Sequence, residues 1–253
     1  MEETVYSFDC PVSMALLTDL HNHPFAEIIA SLRRFRPQMI MIAGDVVYAR
    51  HIDDGELIVH TQRNILPFLA TCALLAPTFM SLGNHELQLN DRDIALICST
   101  GVTLLDNAWT SVNGLAIGGL TSGMVLAGRA QIQDSSELYP HLEHVDRCAL
   151  PDLSCLENMP AGYRILLCHH PEYLPMLPRS IDLILSGHAH GGQWRFFNHG
   201  VFAPGQGFWP ALTTGIHENR MIISRGLSNP SRVPRLFNAP EIVYIVPSQQ
   251  KRP

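Results

Sequence analysis

The chain has 253 residues, of which 46% are hydrophobic and 16% are charged, so it is neither a disordered nor a collagen-like protein. Seventeen basic and 23 acidic residues give a net charge of −6 without any basic stripe, which excludes nucleic-acid binding through bulk charge. No signal-peptide pattern begins the chain, and no apolar run is long enough to span a bilayer. Because the six cysteines form no C-x-x-C pair, we expect buried free thiols and a cytoplasmic location.

Short apolar runs alternate with longer segments of helical periodicity along the chain. Strands are predicted at 13–17, 39–43, 79–82, 102–105, 111–112, 115–117, 164–168, 181–185, 221–224 and 241–246. Helices are predicted at 25–35, 55–75, 91–98 and 131–148. Pro67 should start a new helix or kink the second one, and Asn113-Gly114 is a strong hairpin signal. No linker divides the chain, so we predict a single α/β domain over residues 1–253.

Five of these strands are each followed by side chains that can bind a metal or transfer a proton. The five segments are Asp19-Leu20-His21, Gly44-Asp45, Gly83-Asn84-His85-Glu86, His169-His170 and Gly187-His188-Ala189-His190. Ligands of open α/β sheets bind beyond the carboxyl ends of the strands, so these five ends can converge on one site. Each pattern alone is common and usually structural, but their ordered recurrence predicts a metal centre.

The number and type of donors indicate two ions. Carboxylate, amide and imidazole groups together suit Mn, Fe or Zn better than Ca or Mg, and they are too numerous for one four-coordinate zinc. A carboxylate such as Asp45 can bridge two cations. Two divalent ions outweigh the charges of Asp19 and Asp45, so the centre can attract an anionic phosphate although the protein is acidic.

The ordered set D-x-H, G-D, G-N-H-E, H and G-H-x-H resembles the calcineurin-like metallophosphoesterase superfamily over nearly the whole chain. Residues 17–22, 185–193, 223–227 and 235–242 resemble one bacterial branch of small predicted phosphohydrolases, which are often anchored by an N-terminal membrane helix. The resemblance implies a four-layer αββα sandwich of two mixed β-sheets. It also implies a dimetal centre between the loops of the two sheets.

Carried over residue by residue, the resemblance implies two overlapping sets of metal ligands. One ion would be held by Asp19, His21, Asp45 and His190, and the other by Asp45, Asn84, His169 and His188. His85 matches the superfamily's histidine that contacts the scissile phosphate and assists the leaving group, and Asn84 would also orient it. The implied reaction is hydrolysis of a phosphodiester by attack of a metal-bridging hydroxide on phosphorus.

Two alternatives to a phosphodiesterase remain open. One is a pyrophosphatase that acts on a nucleotide-linked lipid precursor, and the other is a non-catalytic interaction scaffold of the same fold. Such scaffolds typically lose the catalytic histidine or several ligands, whereas this chain keeps all of them. The chain departs from the pattern at Tyr48, where relatives often have an acid, and we do not expect it to carry the membrane helix of the branch.

Further candidates lie next to the motif blocks. We predict substrate contacts for His23, His170 and Arg195. Each histidine can equally be a packed or solvent-exposed imidazole, and Arg195 is more often an ordinary surface arginine. The segment Trp194–Trp209 contains six aromatic residues. It is either an aromatic-packed hairpin or an apolar lip beside the metals, suited to a lipid-linked or nucleoside substrate and to peripheral membrane contact.

Overall fold

The computed structural model describes residues 1–48, 57–132, 150–197, 199–231 and 233–248, so the helix predicted at 131–148 lies almost wholly outside it. The first nine strands are β1 (Glu2–Phe8), β2 (Met14–Leu17), β3 (Met39–Ala43), β4 (Thr78–Ser81), β5 (Thr103–Leu104), β6 (Ala108–Val112), β7 (Leu115–Leu120), β8 (Tyr163–Cys168) and β9 (Leu183–Ser186). Shorter strands follow as β10 (Arg195–Phe196), β11 (His199–Gly200), β12 (Phe202–Ala203), β13 (Gly207–Phe208), β14 (Gly215–His217) and β15 (Met221–Ile223), and β16 (Glu241–Pro247) comes last.

The helices connect these strands on the outer faces. They are α1 (Ala26–Phe35), α2 (Ile58–Thr61), α3 (Ile65–Leu75), α4 (Asp91–Ser99), α5 (Gly123–Ile132) and α6 (Ser154–Glu157). Three 3-10 helices lie at Asn84–Gln88, Pro171–Met176 and His190–Gly192. None of the helices in the described residues is both long enough and apolar enough to cross a membrane.

Two six-stranded mixed sheets form the centre of the fold. Their strand orders are β1-β16-β2-β3-β4-β5 and β14-β15-β9-β8-β7-β6. In the first sheet β2, β3 and β4 run parallel, and in the second β7, β8 and β9 do. The carboxyl ends of each parallel set therefore lie along one edge of their sheet, as the sequence analysis requires.

Hydrophobic side chains fill three spaces between four layers, because successive residues of a strand face opposite sides. Leu17 of β2 faces α1 and α3, while its neighbour Leu16 faces the second sheet. Likewise Leu167 of β8 faces the first sheet, while Leu166 packs against the outer layer of short helices that includes α6. The predicted four-layer αββα sandwich is confirmed.

The predicted strands are confirmed, and among the helices predicted within the described residues the one at 55–75 differs. Several elements were missed, among them β1 and α5. In place of the helix predicted at 55–75, the described residues form two helices, α2 and α3, with the break at Gln62. Pro67 does not cause the break, because it lies within the first turn of α3, where proline is tolerated. The sequence analysis missed β1, whose residues alternate without forming an apolar run and which pairs in parallel with β16 at the far end of the chain. The predicted hairpin is confirmed by positive φ values at Asn113 (52°) and Gly114 (79°).

The segment Trp194–Trp209 folds as two short antiparallel hairpins, β10–β11 and β12–β13. Its rings are not packed inside them, since Phe208 and Trp209 are each 73% exposed and Phe197 is almost fully exposed. The five described cysteines are free thiols. Three of them are buried, at positions 10, 72 and 168, as predicted, but Cys98 is exposed.

The space between the two sheets should carry much of the stability. Leu167→Ala removes a fully buried side chain from this layer, and we expect it to lower the free energy of unfolding by about 2–5 kcal/mol. Leu74→Ala on the exposed face of α3 is the matched control, with an expected change below about 0.5 kcal/mol. Urea denaturation measures both, and equal effects of the two variants would contradict this assignment of the core.

Candidate metal centre

The seven predicted metal ligands come from loops at the carboxyl ends of strands in both sheets. Asp19 and His21 follow β2, Asp45 follows β3, and Asn84 begins the 3-10 helix after β4. His169 follows β8, and His188 and His190 follow β9. The loops touch one another directly, because the His169 Nδ1 lies 2.7 Å from the carbonyl oxygen of Ala43 in the opposite sheet.

Asp45 lies at the centre of this arrangement. Its Oδ2 atom lies 3.1 Å from the Nε2 of His169, 3.8 Å from that of His21 and 3.9 Å from that of His85. Its Oδ1 atom accepts a hydrogen bond of 2.9 Å from the backbone N–H of His85. One carboxylate oxygen is therefore fixed by the backbone, while the other faces histidines that belong to both sheets.

Asp19 organises the second half of the centre. Its Oδ2 atom accepts hydrogen bonds from the Thr18 hydroxyl (2.9 Å) and the His188 backbone N–H (3.3 Å). Its Oδ1 atom faces the Nε2 atoms of His190 at 3.5 Å and His21 at 3.7 Å. Ligand atoms of Asp19, His21 and His190 form one group within 4.8 Å, and those of Asp45, His169 and His188 form another.

The atoms that would bind ions are buried and have no hydrogen-bond partner. They are Asp19 Oδ1, His21 Nε2, Asp45 Oδ2, Asn84 Oδ1, His169 Nε2 and His188 Nε2. A buried polar atom without a partner is costly, and six that converge at one place require an explanation. The mixture of carboxylate, amide and imidazole donors fits two divalent cations of the Mn, Fe or Zn type.

The backbone is strained at the same positions. Five of the seven predicted ligands have positive φ, between 46° and 65°, namely Asp19, His21, Asp45, His188 and His190. Each such residue costs on the order of 1 kcal/mol or more and persists only where the surroundings enforce it. Two glycines allow the loops to approach, since a Cβ at Gly83 would overlap the Asp45 carboxylate and one at Gly187 would overlap Thr18.

The surroundings set the charge of the ligands. Burial opposes ionisation of Asp19 and Asp45, but the neighbouring histidines outweigh it and hold the pKa of both carboxyls below the usual range. Burial, together with His21 and Arg235, lowers the pKa of His190 to about 3, so this ring is neutral as a metal ligand must be. Burial would lower the pKa of His169, but Asp45 raises it to about 10, so binding of an ion there must release a proton.

Glu86 is a structural residue of the centre whose role the sequence analysis missed. It is fully buried, and its carboxylate accepts hydrogen bonds from four backbone N–H groups, those of Gly83 (2.7 Å), Asp45 (2.8 Å), Val46 (2.8 Å) and Val47 (3.2 Å). Burial and the Asp45 carboxylate raise the pKa of Glu86 to about 7, while the N–H donors favour its ionised form. Glu86 thereby holds the loops after β3 and β4 together.

Two other residues outside the predicted set approach the ligands. Arg235, in a block that the sequence analysis used only to assign a branch, places its guanidinium 3.0 Å from the Nδ1 of His190 and donates to the carbonyl oxygens of Arg225 and Ser228. Glu172 lies 3.7 Å from the Nε2 of His188 and 3.1 Å from the Nδ1 of His170. Both could be found only from the folded arrangement, since neither belongs to a metal-binding pattern.

The predicted substrate contacts are placed in three different environments. His23 is exposed, and its backbone N–H donates to Leu20. His170 is buried, with its Nε2 2.7 Å from the Ser122 hydroxyl and its Nδ1 beside Glu172. Arg195 is also buried, and it donates to the carbonyl oxygen of Gly191 and the hydroxyl of Thr213. The substrate contacts of His23, His170 and Arg195 all stay predictions, and the two buried side chains are held in place by their hydrogen bonds.

Comparison with known proteins decides the family. A profile of the calcineurin-like phosphoesterase family matches residues 13–192, which contain all seven predicted ligands and His85. The chain belongs to this family. The fold and the membership make it a metal-dependent phosphoesterase by class.

The individual proteins that this chain resembles are distant relatives. The uncharacterized protein YpbG of Bacillus subtilis is 25% identical over 93% of this chain and 80% of its own length. Phosphodiesterase YaeI of Escherichia coli is 28% identical over 73% of this chain, which spans only 63% of YaeI. Among solved structures, a dimetal phosphatase from Danio rerio aligns with a TM-score of 0.43 at 13% identity, over 87% of this chain and 89% of that one.

The support that Glu86 gives to the centre can be tested by removing one acceptor oxygen. Glu86→Gln turns an amide towards backbone N–H donors, so we expect a free energy of unfolding lower by about 2–5 kcal/mol and weaker zinc binding. Glu157→Gln on the exposed surface of α6 is the matched control. Urea denaturation and calorimetric zinc titration measure the two effects. Wild-type values for Glu86→Gln in both would contradict the role assigned here.

Proposed function

We propose that the protein is a dimetal phosphodiesterase. One ion would be held by Asp19, His21, Asp45 and His190, and the other by Asp45, Asn84, His169 and His188, so that Asp45 bridges them. The observation that carries the proposal is that six buried donor atoms of the predicted ligands have no hydrogen-bond partner, while the ligand atoms of Asp19, His21 and His190 and those of Asp45, His169 and His188 form two groups within 4.8 Å. Membership of the phosphoesterase family and the name of the relative YaeI support the choice of phosphodiester substrates.

The chain's own residues would orient the reaction. When bound, the two ions would supply Lewis acidity that activates water and polarises the phosphate. The amide oxygen of Asn84 is buried without a hydrogen-bond partner, as an atom reserved for a metal would be, and the hydrogen bond from the His85 backbone N–H to Asp45 fixes the backbone that carries the His85 side chain. The Nδ1–H of His169 donates a hydrogen bond to the carbonyl oxygen of Ala43, so in the neutral ring the Nε2 lone pair faces Asp45.

His85 is the proposed catalytic residue. Its side chain is 23% exposed, against 1% for His21, so it lies at the solvent side of the centre where a substrate would enter. Burial and the nearby imidazoles lower the pKa of His85, although Asp45 opposes this. The neutral ring can still donate one N–H bond to a phosphoryl or leaving-group oxygen.

The proposal predicts that activity and metal binding can be separated at this residue. With bis-p-nitrophenyl phosphate and added manganese, His85→Ala should lose about 10²–10⁴ in turnover, the usual contribution of a positioned acid–base group. Its metal content should equal that of the wild type, because the seven ligands are intact. His60→Ala, an exposed histidine on α2, is the matched control and should keep full activity.

The same assay separates the enzyme from an interaction scaffold. An enzyme hydrolyses the diester only when metal is present, whereas a scaffold binds metal without turnover. Undiminished activity in His85→Ala would remove this residue from the mechanism. Absence of metal-dependent turnover in the wild type would contradict the proposed activity itself.

A further inference from the structure

An apolar cavity adjoins the metal centre and extends beyond the predicted metal ligands. Its volume is about 500 Å³, within the range of about 300–1,000 Å³ typical of small-molecule sites. It is lined by Tyr48, His85, Ala189, His190, Gln193, Trp194, Val201, Phe202, Pro204, Phe208, Pro230, Ser231 and Val233. His85 and His190 belong to both the cavity wall and the proposed catalytic centre, so a phosphate at the ions would extend its ester group into this space.

We propose that this cavity is the subsite for an alkyl chain of an amphiphilic phosphoester substrate. The inference rests on the proposed function and narrows its substrate class. Among the described residues that line the cavity there is no lysine, arginine, aspartate or glutamate, so these residues offer no partner for a second phosphate or another charged group.

Three polar side chains of the wall are already bonded to the protein. The Gln193 amide nitrogen donates to Asn229 and to the carbonyl oxygen of Val233, and the Trp194 indole N–H donates to Pro234 at 2.9 Å. The Ser231 hydroxyl accepts the backbone N–H of Val233 at 3.0 Å. The hydrogen-bonding edge of a nucleobase would find few free partners here, whereas an alkyl chain needs none.

Tyr48 connects the cavity to the catalytic side. Its ring lies 5.8 Å from that of His85 at an interplanar angle of 28°. Tyr48 therefore gives the cavity wall an aromatic surface next to His85. Two further residues of the wall, Phe202 and Phe208, contact each other edge to face, with ring centres 5.4 Å apart. Partly exposed rings of this kind gain by being covered with apolar surface.

A series of alkylphosphonates tests the proposal on zinc-loaded protein by calorimetry. Methylphosphonate reports binding at the ions alone, and ethyl, butyl, hexyl and octyl members, used below micelle-forming concentrations, add chain length. Burial of each methylene should lower the Kd about two- to fourfold, so the Kd of octylphosphonate should be at least about a hundredfold lower than that of methylphosphonate. Equal affinity across the series would overturn the subsite and leave the metal centre intact.

Variants and a competing probe locate the effect. Val201→Asp places a carboxylate in the wall and should abolish most of the gain with chain length, as should Phe202→Ser if the first variant folds poorly. Val5→Asp, the same substitution on an exposed position of β1, is the matched control and should keep the gain. Tighter binding of adenosine 5′-monophosphate than of octylphosphonate would identify a nucleoside site and overturn the proposal. Failure of methylphosphonate to bind would instead count against the proposed function.

Discussion

The structure depends on how the buried charge of Asp45 is accommodated. This carboxylate is fully buried between the two sheets, and one of its oxygens faces three histidines without a hydrogen-bond partner. A buried charge is tolerated only where it is paired, and a protonated His169 can pair it in the absence of ions, but this ring must lose its proton to act as a metal ligand. Two cations shared through Asp45 would satisfy this charge and that of Asp19 together.

The rest of the fold can be understood as support for this arrangement. The three apolar layers fix the sheets, and the parallel strands bring five loops to one place. Glu86 accepts hydrogen bonds from four backbone N–H groups of two loops. The surrounding structure also keeps five ligands at positive φ, a backbone conformation that these residue types disfavour. Strain of this kind is characteristic of sites in which precise placement of side chains is worth its cost in stability.

Much of the centre could be predicted because its pattern is local. Apolar runs followed by glycine and a donor residue mark strand ends, and the topology of parallel strands brings those ends together. The roles of Glu86, Arg235 and Glu172 could not be predicted from the sequence. Glu86 and Arg235 contact residues about 40 or more positions away, and Glu172 approaches His188 only because the loops after β8 and β9 meet in the fold. The same reason explains why β1 was missed, because it is stabilised by pairing with the distant β16 rather than by an apolar run.

The most direct test of this account is anomalous scattering from crystals grown with zinc. The account predicts two peaks, one on each side of the Asp45 side chain, each at a coordination distance of about 2.0–2.2 Å from one of its oxygens. Crystals of Asp45→Asn should show a loss of occupancy at both positions, because the shared ligand is weakened. A single peak, or two peaks that both lie outside the reach of Asp45, would contradict the bridging role on which the account rests.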